Sequence, residues 1–220
     1  VVYSPLCGAG GEPVAHMLEK LGAEYHIPQS QKTPSGEFAT CPSPNPENDA
    51  SFAACYKLAD EVKPDLIMAT DPDSDRIAVA IPTASGYRKF SGNEMGCLLL
   101  QYILRAMKDA GKLPHDPVAV KSVVSTPLAD RVAAAYGCKM RTVLTGFKYI
   151  GGVILELEQA GHADDFVLGF EESCGYLKGD YARDKDAVVT AMLIAEMAAS
   201  SKLAGRTLAD EMDSLYAQYG

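Results

Sequence analysis

Asp71, Asp73 and Asp75 place three carboxylates within five residues, in the segment Asp71-Pro72-Asp73-Ser74-Asp75-Arg76. The segment directly follows the apolar run Leu66-Ile67-Met68-Ala69-Thr70. Such a run reads as a buried strand, and ligands collect at the carboxyl ends of strands in open α/β sheets. Like charges spaced this closely repel. A hard divalent cation relieves that repulsion, and Mg²⁺ prefers oxygen ligands of this kind. The bland alternative is a solvated acidic turn in which Pro72 and Ser74 are ordinary turn residues. Arg76 can pair either with a phosphate beside the cation or with one of the aspartates. A calcium-binding EF-hand loop counted from Asp71 would need Gly at its sixth position and Glu at its twelfth. Arg76 and Pro82 stand there, and a strand follows instead of a helix, so that motif is excluded.

The elements that must position this turn can be read on either side of it. Residues 1–3 are short, apolar and β-branched; Pro5 and Gly8-Ala9-Gly10-Gly11 break them, and a helical pattern runs to Leu21, stopped by Gly22. Residues 23–27 suit a strand. The stretch 28–48 is rich in Pro, Ser and Thr and reads as a long surface loop, with Pro46-Glu47 opening a second helix to about Val62. After the acidic turn, residues 77–81 and 87–90 form a hairpin around Ser85-Gly86, and a helix runs from Gly92-Asn93 to near Gly111. Residues 112–116, polar and containing Pro114, are the candidate linker. The rhythm then repeats, with strands at 118–124, 138–143 and 166–170, helices at 126–136, 146–161, 184–201 and 208–219, and a loop at 171–178. Alternating strands and helices indicate α/β layers. Their repetition predicts two similar domains, residues 1–112 and 113–220.

Composition narrows the function classes. The 220 residues are 47% hydrophobic and 22% charged, as in a compact folded protein. A net charge of -9 argues against a nucleic-acid partner, while a few cleft lysines could still attract a small phosphorylated substrate. No apolar run is long enough to span a bilayer, and the opening residues lack signal-peptide character. A start on a core strand without Met reads as a piece trimmed from a longer protein. Cys7, Cys41, Cys55, Cys97, Cys138 and Cys174 include no Cys-x-x-Cys pair and read as reduced thiols in the cytoplasm. His16, His26, His115 and His162 show no zinc-ligand spacing and read as surface or loop residues.

Several ordered stretches carry a resemblance. Ala69 to Arg76 is similar to the metal loop of the α-D-phosphohexomutase superfamily (phosphoglucomutase/phosphomannomutase). Val2-Tyr3-Ser4-Pro5-Leu6-Cys7-Gly8-Ala9-Gly10 resembles the opening of that family's second domain, and Ser91-Gly92-Asn93-Glu94-Met95-Gly96 the stretch after the metal hairpin. Thr145-Gly146-Phe147-Lys148-Tyr149-Ile150-Gly151 and Gly169-Phe170-Glu171-Glu172-Ser173-Cys174-Gly175-Tyr176 resemble two substrate loops of the third domain. Arg183-Asp184-Lys185-Asp186 resembles the start of its last long helix. The matches cover nearly the whole chain. The resemblance implies two α/β domains, each a mixed, mostly parallel sheet sandwiched between helices, corresponding to family domains II and III.

It also implies roles. Asp71, Asp73 and Asp75 match the Mg²⁺ carboxylates, and Arg76 lies where it could meet the transferred phosphate. Glu171 and Ser173 match a pair that grips sugar hydroxyls. Thr145 and Gly146 match a backbone-rich loop at a helix start, where free N–H groups suit an anionic or hydroxylated ligand. Lys121 matches a lysine facing the cleft, and Lys121 or Lys148 could neutralise phosphate or shuttle a proton, with ordinary surface lysines as the alternative. The partners implied are a hexose phosphate or hexose bisphosphate, and family domains I and IV, which carry the phosphoserine and the distal-phosphate site. No phosphoserine motif occurs in these residues, so the chain alone is expected to be inactive. Weak Mg²⁺ binding is expected, because the family completes the coordination with the phosphoserine. Cys7 stands where many members have His, and Cys174 and Tyr176 replace a Gly-His ending. That leans the chain toward the phosphoglucomutase or phosphopentomutase branches. A haloacid-dehalogenase-like Mg²⁺-dependent phosphatase, with Asp71 as nucleophile, is the alternative activity.

Overall fold

A computed structural model describes all residues, Val1 to Gly220. It contains two four-stranded sheets flanked by helices. In the first, β1 (Val2–Ser4), β2 (Ile67–Thr70), β3 (Ile77–Thr83) and β4 (Gly86–Phe90) lie in that order. Only β1 and β2 are parallel, since β2, β3 and β4 follow one another through tight turns and must alternate in direction. The "mostly parallel" expectation therefore describes the second sheet. There β5 (Val118–Ser122), β6 (Lys139–Val143) and β7 (Phe166–Glu171) run parallel in the order β6-β5-β7, and β8 (Gly175–Leu177) closes one edge antiparallel. β2 and β5, apolar apart from Thr70, Lys121 and Ser122 at their ends, are buried along their whole length, as strands covered on both faces are.

Four segments differ from the sequence expectation. Residues 28–48, read as a loop, hold a short helix at Gln29–Lys32. Residues 23–27 contribute one bridge, His26 to Val2, rather than a strand. The helix expected from Pro46-Glu47 begins later: a 3₁₀ turn, Asp49–Phe52, precedes α3 (Ala53–Val62). Residues 171–178, read as a loop, contain β8, a strand too short for periodicity to reveal and fixed only by its pairing with β7.

The remaining helices are α1 (Gly11–Lys20), the short α2 (Gln29–Lys32), α4 (Gly92–Asp109), α5 (Leu128–Ala135), α6 (Phe147–Gln159), α7 (Ala187–Leu203) and α8 (Leu208–Tyr219). Two of them tie the sheets together. From the end of β4, α4 packs against α5 and β7 of the second sheet. In the other direction, α7 packs on α1 and β3 of the first sheet as well as on β8. Their starts are fixed locally. Ser91 and Glu94 form a reciprocal capping box on α4, and the Asp186 carboxylate accepts from the Val188 and Val189 amides on α7. A single apolar core of 45 buried residues consequently runs through both sheets, with a smaller cluster beneath α6. Residues 112–116 form a largely exposed connection between α4 and β5. All six cysteines are buried and unpaired, and no single helix is long and apolar enough to cross a membrane.

Close packing where α4 begins makes a specific demand. A Cβ on Gly92 would lie 2.0 Å from the Glu172 carbonyl oxygen and 2.7 Å from the Cys174 nitrogen, both backbone atoms that cannot swing away. Gly152, inside α6, has open space around it. Gly92→Ala should lower unfolding free energy by about 1–3 kcal/mol, whereas Gly152→Ala should raise it by roughly 0.5–1 kcal/mol. Urea denaturation of the two variants checks the contrast, which equal shifts would contradict.

Candidate active site

The acidic turn closes on itself. Asp71 Oδ1 accepts from the backbone N–H groups of Asp75 (3.1 Å) and Arg76 (3.0 Å), and Oδ2 accepts from Arg76 Nε at 2.8 Å. Ser74 turns the chain with φ of 62°, and its hydroxyl is buried without a hydrogen-bond partner. The glycines ahead of α1 are explained here. A Cβ on Gly8 would lie 2.2 Å from Pro72 Cα, one on Gly10 would lie 2.2 Å from Ser74 Oγ, and the Ala9 amide donates to the Pro72 carbonyl at 2.8 Å. The turn thus rests directly on the glycine-rich segment.

Ligand oxygens of Asp71, Asp73 and Asp75 all lie within 4.8 Å of one another. Asp71 is buried, Asp73 exposed and Asp75 half-buried. Burial pushes the Asp71 carboxyl up to about 6; hydrogen bonds from Arg76 act against the rise, and the neighbouring charge of Asp75 adds to it. Converging hard oxygen donors, one of them held unfavourably as an anion, fit a divalent cation. Both Asp71 oxygens are already held by donors and the side chain is 4% exposed, which disfavours it as the in-line nucleophile of a phosphatase. Arg76 takes the salt-bridge option: besides Asp71 it meets Glu47 at 3.2 Å, so its guanidinium sits against carboxylates.

A second half-site lies across the boundary between the sheets. Buried at the end of β7, Glu171 accepts from the Gly146 N–H at 2.6 Å. That corrects the expectation of a free amide at Gly146: this N–H holds the carboxylate in place. Gly146 adopts φ of 116°, a conformation that disfavours side chains, and Thr145 beside it is exposed. Ser173 is half-buried in the same loop. Glu172, between Glu171 and Ser173, accepts from Ser122 Oγ at 2.7 Å and braces the loop against β5.

Lys121 requires a correction. Rather than presenting its ammonium to a cleft, it is buried and donates to the Ser125 and Thr126 carbonyls and to Asp130 Oδ2 at 2.5 Å, holding the β5–α5 turn. Lys148 is exposed on the first turn of α6, its ammonium over the Tyr149 ring at 5.1 Å.

The two half-sites meet through backbone. Arg76 pairs with Gly175 in an antiparallel bridge, and the Ile77 amide donates to the Cys174 carbonyl at 3.0 Å. The Ala187 amide, at the start of α7, donates to the Ser74 carbonyl at 3.1 Å. Lys185 adds an ion pair to Asp75 at 3.0 Å. Sequence reasoning marked Lys185 only as part of a helix start; its proximity to Asp75 is a tertiary fact with no local signal.

Comparison with known proteins decides the family. The family descriptions "Phosphoglucomutase/phosphomannomutase, alpha/beta/alpha domain II" and "domain III" match residues 1–86 and 91–219. The chain belongs to the phosphoglucomutase/phosphomannomutase family. A phosphoglucomutase of Staphylococcus aureus (strain N315) is 35% identical over 222 residues, covering 100% of this chain. This chain spans 39% of that relative's length. Among solved structures, a phosphoglucomutase/phosphomannomutase family protein from Burkholderia thailandensis superposes with a TM-score of 0.74 at 18% identity, over 97% of this chain and 42% of that one. An N-acetylphosphoglucosamine mutase from Aspergillus fumigatus, solved with GlcNAc-6P and magnesium, gives 0.56 at 13% identity, over 89% and 42%. Both structures share the family's fold with this chain. In family terms, the acidic turn lies in domain II, and the Glu171–Ser173 loop in domain III.

A cation binds the ionised carboxylate, so binding competes with protons. With Asp71 pushed up to about 6, Mg²⁺ affinity should be nearly full above about pH 7 and fall roughly tenfold between pH 7 and pH 5. Calorimetric titration across pH 5 to 7.5 checks this, and an affinity independent of pH would contradict it.

Proposed function

We propose that this chain supplies the metal-binding and sugar-binding half of a phosphosugar mutase, an intramolecular phosphotransferase that interconverts hexose 1-phosphate and hexose 6-phosphate. The carrying observation is the backbone junction at Arg76–Gly175, which sets three convergent carboxylates beside a carboxylate-and-hydroxyl loop. A phosphoryl group at the first and sugar hydroxyls at the second would be held together. The 35% identical relative named phosphoglucomutase supports glucose phosphate as the substrate.

In this reading Asp71, Asp73 and Asp75 hold Mg²⁺, which would withdraw charge from the transferring phosphoryl oxygens. Arg76 fixes the orientation of Asp71 through a paired backbone and side-chain contact. Glu171, pre-oriented by the Gly146 amide, and Ser173 grip vicinal hydroxyls, so that the sugar can present either end in turn. Thr145 lines the same edge, and Lys148, on a flexible exposed stem, neutralises the anionic substrate. The phosphoryl donor, a phosphoserine, and the site for the second phosphate come from family domains I and IV of the same polypeptide. We also place the protein in the cytoplasm, on the strength of its six unpaired thiols.

The 220 residues alone should show no mutase turnover in a coupled assay with glucose 1-phosphate. The full-length protein carrying them should turn over glucose 1-phosphate faster than mannose 1-phosphate or ribose 1-phosphate. Ser173→Ala in that protein should reduce kcat/KM roughly 10- to 100-fold, the loss expected when a hydrogen bond to a ligand is removed from a closed site. Turnover by the isolated chain, or full activity of the Ser173 variant, would overturn the reading.

A further inference from the structure

Lys185 touches three separate parts of the two half-sites. Its ammonium lies 3.0 Å from Asp75 Oδ2 and 2.8 Å from Asp184 Oδ1. Its stem fills the space in front of Gly175, where a Cβ would meet Lys185 Cδ at 2.2 Å. The ammonium also sits over the Phe147 ring at 5.4 Å, and Phe147 follows Gly146, whose amide holds Glu171. The side chain is 16% exposed, so these contacts are made in a partly dehydrated setting where charge interactions are weakly screened.

We propose that Lys185 is a positioning residue that couples occupancy of the metal site to the geometry of the hydroxyl-gripping loop. The inference rests on the mutase reading for the existence of both half-sites. Its logic is competition for one carboxylate. A cation held by Asp75 and the lysine ammonium repel each other and share the same anionic partner, so metal entry weakens the Lys185–Asp75 pair. The Lys185 stem lies against Gly175 and its head over the Phe147 ring, so a shift of this side chain changes both contacts. Metal entry is therefore felt at Gly175 and Gly146. By linkage, a ligand that holds the loop in its released or engaged state changes metal affinity in return. The other links across this junction, Ser74 to Ala187 and Ile77 to Cys174, are backbone hydrogen bonds between neutral groups and do not compete with a cation for Asp75.

The test is Mg²⁺ titration of the 220-residue chain, followed by calorimetry and by amide resonances in ¹⁵N-correlated NMR spectra, in parallel with Lys185→Met. Met keeps an unbranched apolar stem against Gly175 and Phe147 and removes only the charge. In the unmodified chain, Mg²⁺ should shift the Gly146 and Gly175 amides along the same binding curve as Asp73 and Asp75. In Lys185→Met, Mg²⁺ should bind about tenfold more tightly, because a repelling charge a few ångströms away is gone. The Gly146 response should fall to less than half. Lys185→Arg, which keeps the charge, should restore most of that response and serves as the second variant if Lys185→Met unfolds. Equal Gly146 responses in the Lys185→Met and unmodified chains would overturn the coupling, as would weaker Mg²⁺ binding by a folded Lys185→Met. With Lys185→Met unfolded, a Gly146 response lost in Lys185→Arg would do the same. Failure of the unmodified chain to bind Mg²⁺ at the aspartates would instead overturn the metal-site reading beneath it.

Discussion

The antiparallel bridge between Arg76 and Gly175, with the Ile77 amide bonded to the Cys174 carbonyl, governs how the rest of this molecule can be arranged. It joins the residue leaving the acidic turn to the residue leaving the Glu171–Ser173 loop. The start of β3, an inner strand of the first sheet, is thereby held against β8, the edge strand of the second. Tight approach follows as a steric cost at specific positions. Gly92 must lack a side chain because the Glu172 carbonyl comes close, and Gly175 because the Lys185 stem crosses it. The exchange of helices between the sheets, α4 toward β7 and α7 toward α1 and β3, backs this junction with continuous apolar packing.

Electrostatics complete the design. The acidic turn concentrates three negative charges, and protein cations already face two of them, Arg76 at Asp71 and Lys185 at Asp75. Those pairings let the turn fold without an added cation, and they oppose one that enters. Asp73 is the exposed member, open to a newcomer. On the proposed reading, a site balanced in this way would hold its cation modestly and respond to further anionic charge, as a phosphoryl group that arrives and departs requires.

Much of this was legible in the sequence, for identifiable reasons. Carboxylates alternating after an apolar strand carry a charge-repulsion signal that needs no tertiary information, and the hairpin and most helices followed from turn residues and periodicity. The limits were equally physical. β8 is three residues long and exists only because β7 lies beside it. Lys121 sits at the end of a strand, as a cleft lysine would, yet Asp130 and two carbonyls claim its ammonium. Gly146 marks a helix start with a free amide until Glu171, 25 residues away, is seen to occupy it. Lys185 gave no local sign, because its meaning lies in Asp75 and Gly175, brought near by the bridge and not by sequence spacing.

The most direct test of the central claim is to substitute paramagnetic Mn²⁺ for Mg²⁺ and map which amide resonances of the chain broaden. The account requires one contiguous set containing the acidic turn, the Cys174–Gly175 junction and the start of α7. Broadening confined to the acidic turn with the Glu171–Gly175 loop untouched, or scattered over other acidic surface, would contradict a single site built across the two sheets.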